Sequence, residues 1–246
     1  MPDANPLILK LRQSGLLIEE DYGPLADLCV APRAVAADTV LVEQGQRLTG
    51  VHLILSGMSY RYRLMPGGQR QILSILLPGD FCDIQGAILK RSDHFTATLT
   101  DSTVAWLSHE TVDELTLAPT RIARALWWAA LVDECILRAW LTNMGQRSAD
   151  KWFAHFCCEM LLRQQAIGQA ERDSCEMPFS QEKLGDILGI TNVHVNRVLK
   201  DLREHNLLQF KSRRLTIPDV ARLRAFCDFD PSYMHLNAGD DDAAAA

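Results

Sequence analysis

The side chains best suited to molecular recognition lie between positions 191 and 200, where amide, guanidinium and ammonium groups recur at helical spacing. If this segment is a helix, Asn196, Arg197 and Lys200 lie on the face opposite an apolar stripe. Arginine can donate two hydrogen bonds to guanine, and asparagine can pair with adenine. The segment therefore carries the side chains needed to read DNA bases.

Several neighbouring residues are candidates for base or phosphate contacts. Asn192 and His194 lie at the start or flank of the same helix, and Ser180 precedes an earlier helix whose free backbone amides suit a phosphate. The full set of candidate DNA-binding residues is Ser180, Thr191, Asn192, Val193, His194, Asn196, Arg197, Lys200, Lys211, Arg213 and Arg214.

Two short helices must position these side chains. Ser180 is a candidate N-cap for the first helix and Thr191 for the second, and Gly189 suits the tight left-handed turn between them. Two helices joined in this way form a helix-turn-helix. The alternative is an ordinary helical hairpin with a solvated polar face. The apolar positions that define the pair are Leu184, Ile187, Leu188, Val195, Val198, Leu199 and Leu202.

A basic turn follows between two short β runs at 207–217. The pattern predicts a winged hairpin with Lys211, Arg213 and Arg214 at its tip, where they could contact phosphates. Simple solvation of three charges is the alternative. Charge supports the first interpretation, because residues 179–226 carry nine basic and five acidic side chains although the whole chain has a net charge of −6.

The segment from Val35 to Trp106 has a different pattern of apolar residues. Short apolar or alternating runs are separated by Gly- and Pro-containing turns, which predicts a β sandwich or barrel. In 60–64 the period of two predicts one solvent-facing side. The predicted strands are Thr39–Val42, Val51–Leu55, Ser59–Leu64, Gln71–Leu76, Thr96–Leu99 and Thr103–Leu107.

A long apolar helix is predicted from about Pro119 to Met144, with Pro119 in its first turn. Steps of three and four residues predict a coiled-coil seam. Because other faces are apolar too, a buried core helix and a dimer seam both remain open. The candidate dimer-interface residues are Ile122, Ala125, Ala129, Val132, Ile136, Ala139 and Asn143.

Other segments complete the outline. The first thirty residues are predicted to be helical, 145–148 to be a hinge, 149–165 a second helix and 168–178 a polar loop. The acidic, Ala-rich stretch 237–246 is predicted to be a disordered tail.

Composition excludes several classes of protein. The longest stretch without a charged residue, Leu48–Tyr60, has thirteen residues, whereas a membrane helix needs about 20. The first ten residues do not resemble a secretory signal. Seven cysteines without a Cys-x-x-Cys pair favour free thiols in a reducing cytoplasm. No catalytic, metal or cofactor motif is visible, so we expect a cytoplasmic protein that is not an enzyme.

The thiols leave a second hypothesis open. His155, Cys158 and Glu159 lie at helical spacing and could begin a metal site, and Cys157 and Cys158 could be redox thiols. A packed helix with buried thiols is the alternative. Cys175, in the predicted polar loop, is the candidate oxidation sensor.

The order of these elements resembles the Crp/Fnr transcription regulators over about residues 15–225. The matching motifs are Gly45, Leu55-Ser56-Gly57, Pro78-Gly79-Asp80-Phe81 and the segment from Gln181 to Leu208 with Val-His-Val-Asn-Arg at 193–197. The resemblance implies an α+β fold. Its parts are a cyclic-nucleotide-binding-like β-roll sensor domain at 1–118, a dimerisation helix at 119–145 and a winged helix-turn-helix domain at 146–236.

The resemblance also implies a function. A homodimer would bind a palindrome in double-stranded DNA, with RNA polymerase as a partner if it activates. A small-molecule sensor whose ligand gates DNA binding is the alternative, followed by a redox thiol protein. The candidate effector pocket comprises Cys82, Ile84, Gln85, His94, Phe95 and Thr96.

The chain departs from the cyclic-nucleotide-binding members at two positions. Ile84 and Phe95 stand where those members carry a Glu and an Arg for the ribose and the cyclic phosphate. A cyclic phosphate would therefore lack its charge-assisted partner. Cyclic nucleotide is not carried over, any effector is unidentified, and with only Cys29 near the N-terminus an iron–sulfur cluster is not expected.

Overall fold

A computed structural model describes residues 5–29, 31–117 and 120–236. Pro119 and the stretch 237–246 lie outside the described residues, so the predictions made for them are not tested. The chain divides into two compact units: the first runs to Glu134 and takes in His235 and Leu236 as well, and the second comprises Cys135–Met234. The boundary falls inside the long helix.

Helices open the first unit, as predicted. They are α1 (Pro6–Arg12), a 3-10 helix (Glu19–Asp21) and α2 (Tyr22–Asp27). The Asn5 side chain caps α1 by accepting the Leu7 N–H at 3.0 Å.

Seven strands follow, and the six predicted ones are among them. They are β1 (Arg33–Val35), β2 (Val40–Val42), β3 (Gly50–Ser56), β4 (Ser59–Leu64), β5 (Arg70–Leu76), β6 (Phe95–Thr98) and β7 (Ser102–Ser108). They form two antiparallel sheets, with the orders β1-β7-β3 and β2-β6-β4-β5. The β-roll prediction is confirmed.

The solvent-facing side predicted for β4 is present only at the end of the strand, where Arg63 is exposed. Tyr60 and Tyr62 are only 2% and 8% exposed, and the Arg61 side chain is 12% exposed. Strand β4 lies between β6 and β5, so neighbours cover its edges, and the Tyr62 ring stacks on Phe95 at 5.1 Å. The alternating pattern did not reveal that both faces of the strand are covered between positions 59 and 62.

Three further helices of the described chain belong wholly or partly to the first unit. They are α3 (Gly86–Leu89), α4 (His109–Leu117) and the start of α5 (Thr120–Gln146). One face of the β1-β7-β3 sheet packs its apolar residues, such as Leu53 and Leu107, against α1 and against Ile122 and Ala125 of α5. A second cluster, with Ile54, Leu76 and Cys82, fills the roll between the sheets.

The second unit continues from α5 into α6 (Ala149–Ala166). It then contains β8 (Ser174–Glu176), α7 (Gln181–Leu188), α8 (Asn192–Glu204), β9 (Gln209–Lys211), β10 (Arg214–Thr216), α9 (Val220–Phe226) and a 3-10 helix (Pro231–Met234). The last sheet has the order β8-β10-β9. Within the described ranges, no helix combines the length and apolarity needed to cross a membrane.

Candidate nucleic-acid interface

The first helix of the predicted helix-turn-helix begins and ends where its local sequence requires. The Ser180 hydroxyl accepts the Lys183 N–H at 3.2 Å, which caps α7. Gly189 ends the helix in the left-handed conformation, with φ of 70°. Both predictions are confirmed.

A second glycine in α7 was missed. A Cβ on Gly185 would lie 2.8 Å from the Ile190 carbonyl oxygen in the turn, closer than side chains tolerate. Gly185 therefore allows the turn to approach the first helix. The signal in the sequence was a glycine inside a helical pattern, which usually has a packing reason.

The second helix, α8, exposes the face predicted to read bases. The Thr191 hydroxyl caps it by accepting the His194 N–H at 3.4 Å, and Val195 and Val198 are buried. Six of the candidate residues lie along its outer surface: Asn192, Val193, Asn196, Arg197 and Lys200 are exposed, and His194 is half-buried.

The charged groups of this face are available for binding. Among the described residues, the Arg197 side chain has no hydrogen-bond or ion-pair partner. Lys200 lies 3.7 Å from Glu204, but both side chains are more than 60% exposed. Such a pair contributes about 0–1 kcal/mol, so Lys200 can readily exchange Glu204 for a phosphate.

The predicted wing forms from β9 and β10. Its two turn residues, Ser212 and Arg213, have φ of 51° and 63°, the sign required by a two-residue type I′ hairpin turn. Lys211 and Arg213 are exposed at the tip. The third strand, β8, was missed because three residues within a predicted polar loop carry too little pattern.

Arg214 differs from the other two wing residues. Its Nη2 donates to Glu171 Oε1 at 2.7 Å and to Ser174 Oγ at 2.9 Å. The side chain is thus held beside β8 and its charge is balanced by a carboxylate. Its predicted place at the tip, free for a phosphate, is wrong because the unforeseen β8 brings these partners close.

The candidate effector-pocket residues do not form one group. Cys82 and Thr96 are fully buried inside the roll, whereas Phe95 lies on the other face of β6, where its ring stacks on Tyr62. His94 is buried, with Nδ1 2.7 Å from Asp93 Oδ1. Ile84 is half-buried, and Gln85 is exposed just before α3.

A cavity lies elsewhere in the first unit. Its volume is about 210 Å³, and it is lined by Ala31, Arg33, His52, Val104 and Trp106. Burial and the nearby Arg33 charge lower the pKa of His52. None of the predicted effector residues lines this cavity.

Four thiols of the second unit are buried, namely Cys157, Cys158, Cys175 and Cys227, whereas Cys135 is half-buried. Cys175 belongs to β8 and is fully buried, so its predicted place in an exposed loop is wrong. Burial raises the pKa of Cys175 to about 12 and holds the pKa of Cys157 well above its usual value. A hydrogen bond with Cys227, together with burial, raises the pKa of Cys158. Thiols with raised pKa values are poor redox sensors.

The His155 and Glu159 side chains have structural partners. The Asn143 amide lies 3.1 Å from His155 Nδ1, and burial lowers the pKa of His155 to about 4. Glu159 accepts hydrogen bonds from Trp140 Nε1 at 3.1 Å and from the Tyr233 hydroxyl at 2.8 Å. Within the described part of the chain, no group of three His, Cys, Asp or Glu residues is placed to hold a metal.

The predicted dimer seam is buried within the chain. Ile122, Ala125 and Ala129 pack in the core of the first unit, and Asn143 bonds His155 in the second. Val132 and Ile136 are also buried, and Ala139 is half-buried. The assignment of this face to a partner subunit is therefore wrong.

A different face of α5 is exposed and carries large apolar side chains together with the charged Glu134 and Arg138. In the first unit Trp127 and Leu131 are 67% and 45% exposed, and in the second Leu137, Leu141 and Met144 are exposed as well. Positions 127, 131, 134, 138 and 141 follow steps of four and three, which is the spacing of a coiled-coil stripe. We call this stripe and its flanking residues Leu137 and Met144 the exposed α5 face.

Comparisons with known proteins agree with this architecture. A model of the cyclic nucleotide-binding domain matches residues 32–118, and a model of the Crp-like helix-turn-helix domain matches residues 156–226. The chain thus combines a cyclic-nucleotide-binding-like roll with a DNA-binding winged helix.

Relatives with the same combination are known. The chain is 27% identical over 191 residues to the nitrogen fixation regulation protein FixK of Bradyrhizobium diazoefficiens, covering 77% of this chain and 78% of that protein. It is 24% identical over 195 residues to the transcriptional activator protein FnrL of Cereibacter sphaeroides, covering 78% of each. The solved structure of FixK2 from Bradyrhizobium japonicum has the same fold, with a TM-score of 0.71, 22% identity and coverage of 79% of this chain and 96% of that one. The two domain models and these relatives together support a Crp/Fnr-type DNA-binding transcription regulator with a cyclic-nucleotide-binding-like sensor domain.

Proposed function

We propose that the chain works as a homodimer that binds a palindromic DNA operator through α8. The observation that carries this proposal is the exposed face of α8, where Arg197 and Asn196 project from a helix anchored by buried valines. Arg197 would bind guanine and Asn196 adenine in the major groove. Val193, His194 and Lys200 would complete the base-reading surface, with Asn192 at its edge.

Phosphate contacts would fix the helix in the groove. The caps at Ser180 and Thr191 place free backbone amides at two helix starts, and such amides bind phosphate oxygens. Lys211 and Arg213 would reach the backbone from the wing. Arg214 would help indirectly, by holding the hairpin to β8.

The exposed α5 face would pair two subunits. Trp127, Leu131 and Leu141 are large apolar side chains that water would otherwise surround. Burying them between two copies supplies a hydrophobic driving force and sets the separation of the two copies of α8. Palindrome binding requires a separation of about 34 Å, one turn of DNA.

The first unit would relay a state to this dimer. A small effector bound in the roll is the second candidate, supported by the match to a cyclic nucleotide-binding model. The relative FnrL is a transcriptional activator protein. If this chain also activates transcription, RNA polymerase would be its partner. The raised pKa values of Cys157 and Cys175 speak against thiol-based sensing.

Affinity selection of random duplexes tests the proposal. The full chain, reduced and without added ligand, should enrich a two-fold palindrome. In the same selection, the Arg197→Ala variant should lose its sequence preference at one base pair of each half-site. Failure of the wild type to enrich any sequence, with or without cyclic AMP or cyclic GMP, would refute sequence-specific binding.

A further inference from the structure

A buried arginine occupies the interior of the β roll. Arg61 lies in the middle of β4, and its side chain is only 12% exposed. A charged side chain is rarely buried unless it is paired and hydrogen-bonded. The partners of Arg61 therefore indicate its purpose.

The Arg61 guanidinium joins three parts of the first unit. Nε donates to the Cys82 carbonyl at 2.7 Å, and Nη2 donates to the Phe81 carbonyl at 2.8 Å. Nη1 donates to Asp133 Oδ2 on α5 at 3.0 Å. The Phe81–Cys82 segment is in turn held to β3, because the Cys82 N–H donates to the His52 carbonyl at 2.8 Å. One side chain thus links the two sheets to the long helix.

This link passes beside two of the candidate effector residues, Thr96 and Cys82. Arg61 is the cross-strand partner of Thr96, so both side chains lie on the same face of the sheet. Its guanidinium lies against the main chain of Cys82, a second candidate pocket residue. Among the described residues, the buried hydroxyls of Ser59 and Thr96 on that face have no hydrogen-bond partner. Arg61 therefore carries the polar connection across this part of the roll.

We propose that Arg61 acts as a built-in substitute for an effector, with its bonds to the Phe81–Cys82 main chain and to Asp133 holding α5 in the DNA-binding state without a ligand. The proposal deepens, and rests on, the function proposed above. The helix that carries Asp133 continues without a break to Gln146 in the second unit. Fixing its first half on the roll would therefore restrict the part that leads to the DNA-binding helices.

The physical reason is preorganisation. A ligand that must bind before the active state forms reduces the apparent affinity for DNA by the fraction of molecules without ligand. A guanidinium that is always charged and has a fixed set of donors supplies the same contacts permanently. Arg61 is thus a positioning residue, since it acts on DNA through α5.

Asp133→Asn is the sharpest test, because it keeps the shape of the side chain and removes its charge. With fluorescence anisotropy on the selected palindrome, we expect Asp133→Asn and Arg61→Lys to bind at least tenfold more weakly than the wild type. Asp133→Glu should recover part of the loss. Arg63→Ala, an exposed arginine on the same strand, is the matched control and should bind within twofold of the wild type.

We call the bonds from Arg61 to the Phe81–Cys82 main chain and to Asp133 the tether. Two further readouts separate loss of the tether from general damage to the fold. Binding to random DNA at low salt should be unchanged in Asp133→Asn, because the DNA-binding surface is intact. Amide hydrogen exchange in 120–134 should be faster in Asp133→Asn than in Arg63→Ala.

Three results would overturn the tether while leaving the proposed function standing. They are wild-type affinity in both Asp133→Asn and Arg61→Lys, unchanged exchange in 120–134, and a tenfold or greater gain in wild-type affinity on adding cyclic AMP or cyclic GMP. If instead the wild type binds no palindrome under any of these conditions, the proposed function itself fails and the tether fails with it.

Discussion

Replacing Arg197 by alanine should remove the preference for guanine without harming the fold. The side chain is exposed and has no hydrogen-bond or ion-pair partner among the described residues, so its loss should change the free energy of unfolding by no more than about 0.5 kcal/mol. A bidentate contact to guanine contributes about 1–3 kcal/mol of discrimination. In a dimer on a palindrome, two such contacts are lost, and the cost becomes about 2–6 kcal/mol.

The expected loss of affinity is large enough to measure directly. Because about 1.4 kcal/mol corresponds to a tenfold change in Kd, the palindrome should bind roughly 30-fold to 10⁴-fold more weakly. Fluorescence anisotropy with the selected duplex measures this loss, and a shuffled duplex of the same length measures nonspecific binding. Nonspecific affinity should fall much less, since phosphate contacts supply most of it.

Arg203→Ala provides a matched control for this experiment. Arg203 is an exposed arginine near the end of the same helix, 240° around the axis from Arg197. The control should keep its preference for the palindrome. Equal weakening of Arg197→Ala on palindrome and shuffled DNA would show that Arg197 contacts phosphate and that α8 is misassigned.

Three other perturbations test separate parts of the structure. Leu131→Glu places a charge on the exposed α5 face and should yield monomers in sedimentation velocity. The same change at the exposed Leu64 is the control and should leave the dimer intact. A Leu131→Glu variant that remains dimeric would exclude this interface. Gly185→Ala should destabilise the fold by about 1–3 kcal/mol in urea unfolding, because its Cβ meets the Ile190 carbonyl, and wild-type stability would contradict the close approach. Burial lowers the pKa of His155 to about 4 in the folded state, against about 6.5 in the unfolded state. The effect of this group on the free energy of unfolding is therefore constant above pH 6.5, and the protein loses about 3 kcal/mol of stability as the pH falls from 6.5 to 4. His155→Gln should flatten the stability curve in that window, and parallel wild-type and variant curves would refute it.

The local features of the candidate site could be predicted from the sequence. Ser180, Gly189 and Thr191 fix where α7 and α8 begin and end, because capping and left-handed turns depend on a few adjacent residues. The same holds for the strands of the roll, whose Gly- and Pro-containing turns mark their ends. The exposed position of Arg197 follows directly from helical periodicity.

The burial of each α5 face could not be predicted in this way. Apolar residues at heptad spacing occupy more than one side of this helix, and periodicity gives no preference between them. Tertiary packing decides the matter: the Ala125 face meets the core of the roll, and the Leu131 face is left exposed. The sequence therefore predicted a dimer helix, but the face that it assigned to the interface is buried within the chain.

Partners distant in the chain explain the remaining differences. Arg214 pairs with Glu171 across 43 positions, and Arg61 reaches Asp133 across 72. Such pairs form only when strands and helices have assembled, and no local pattern records them. The sequence by itself determined the two architectures and the helix that we propose reads DNA. The tertiary structure decided which charges remain free to bind DNA and which are committed to holding the protein together.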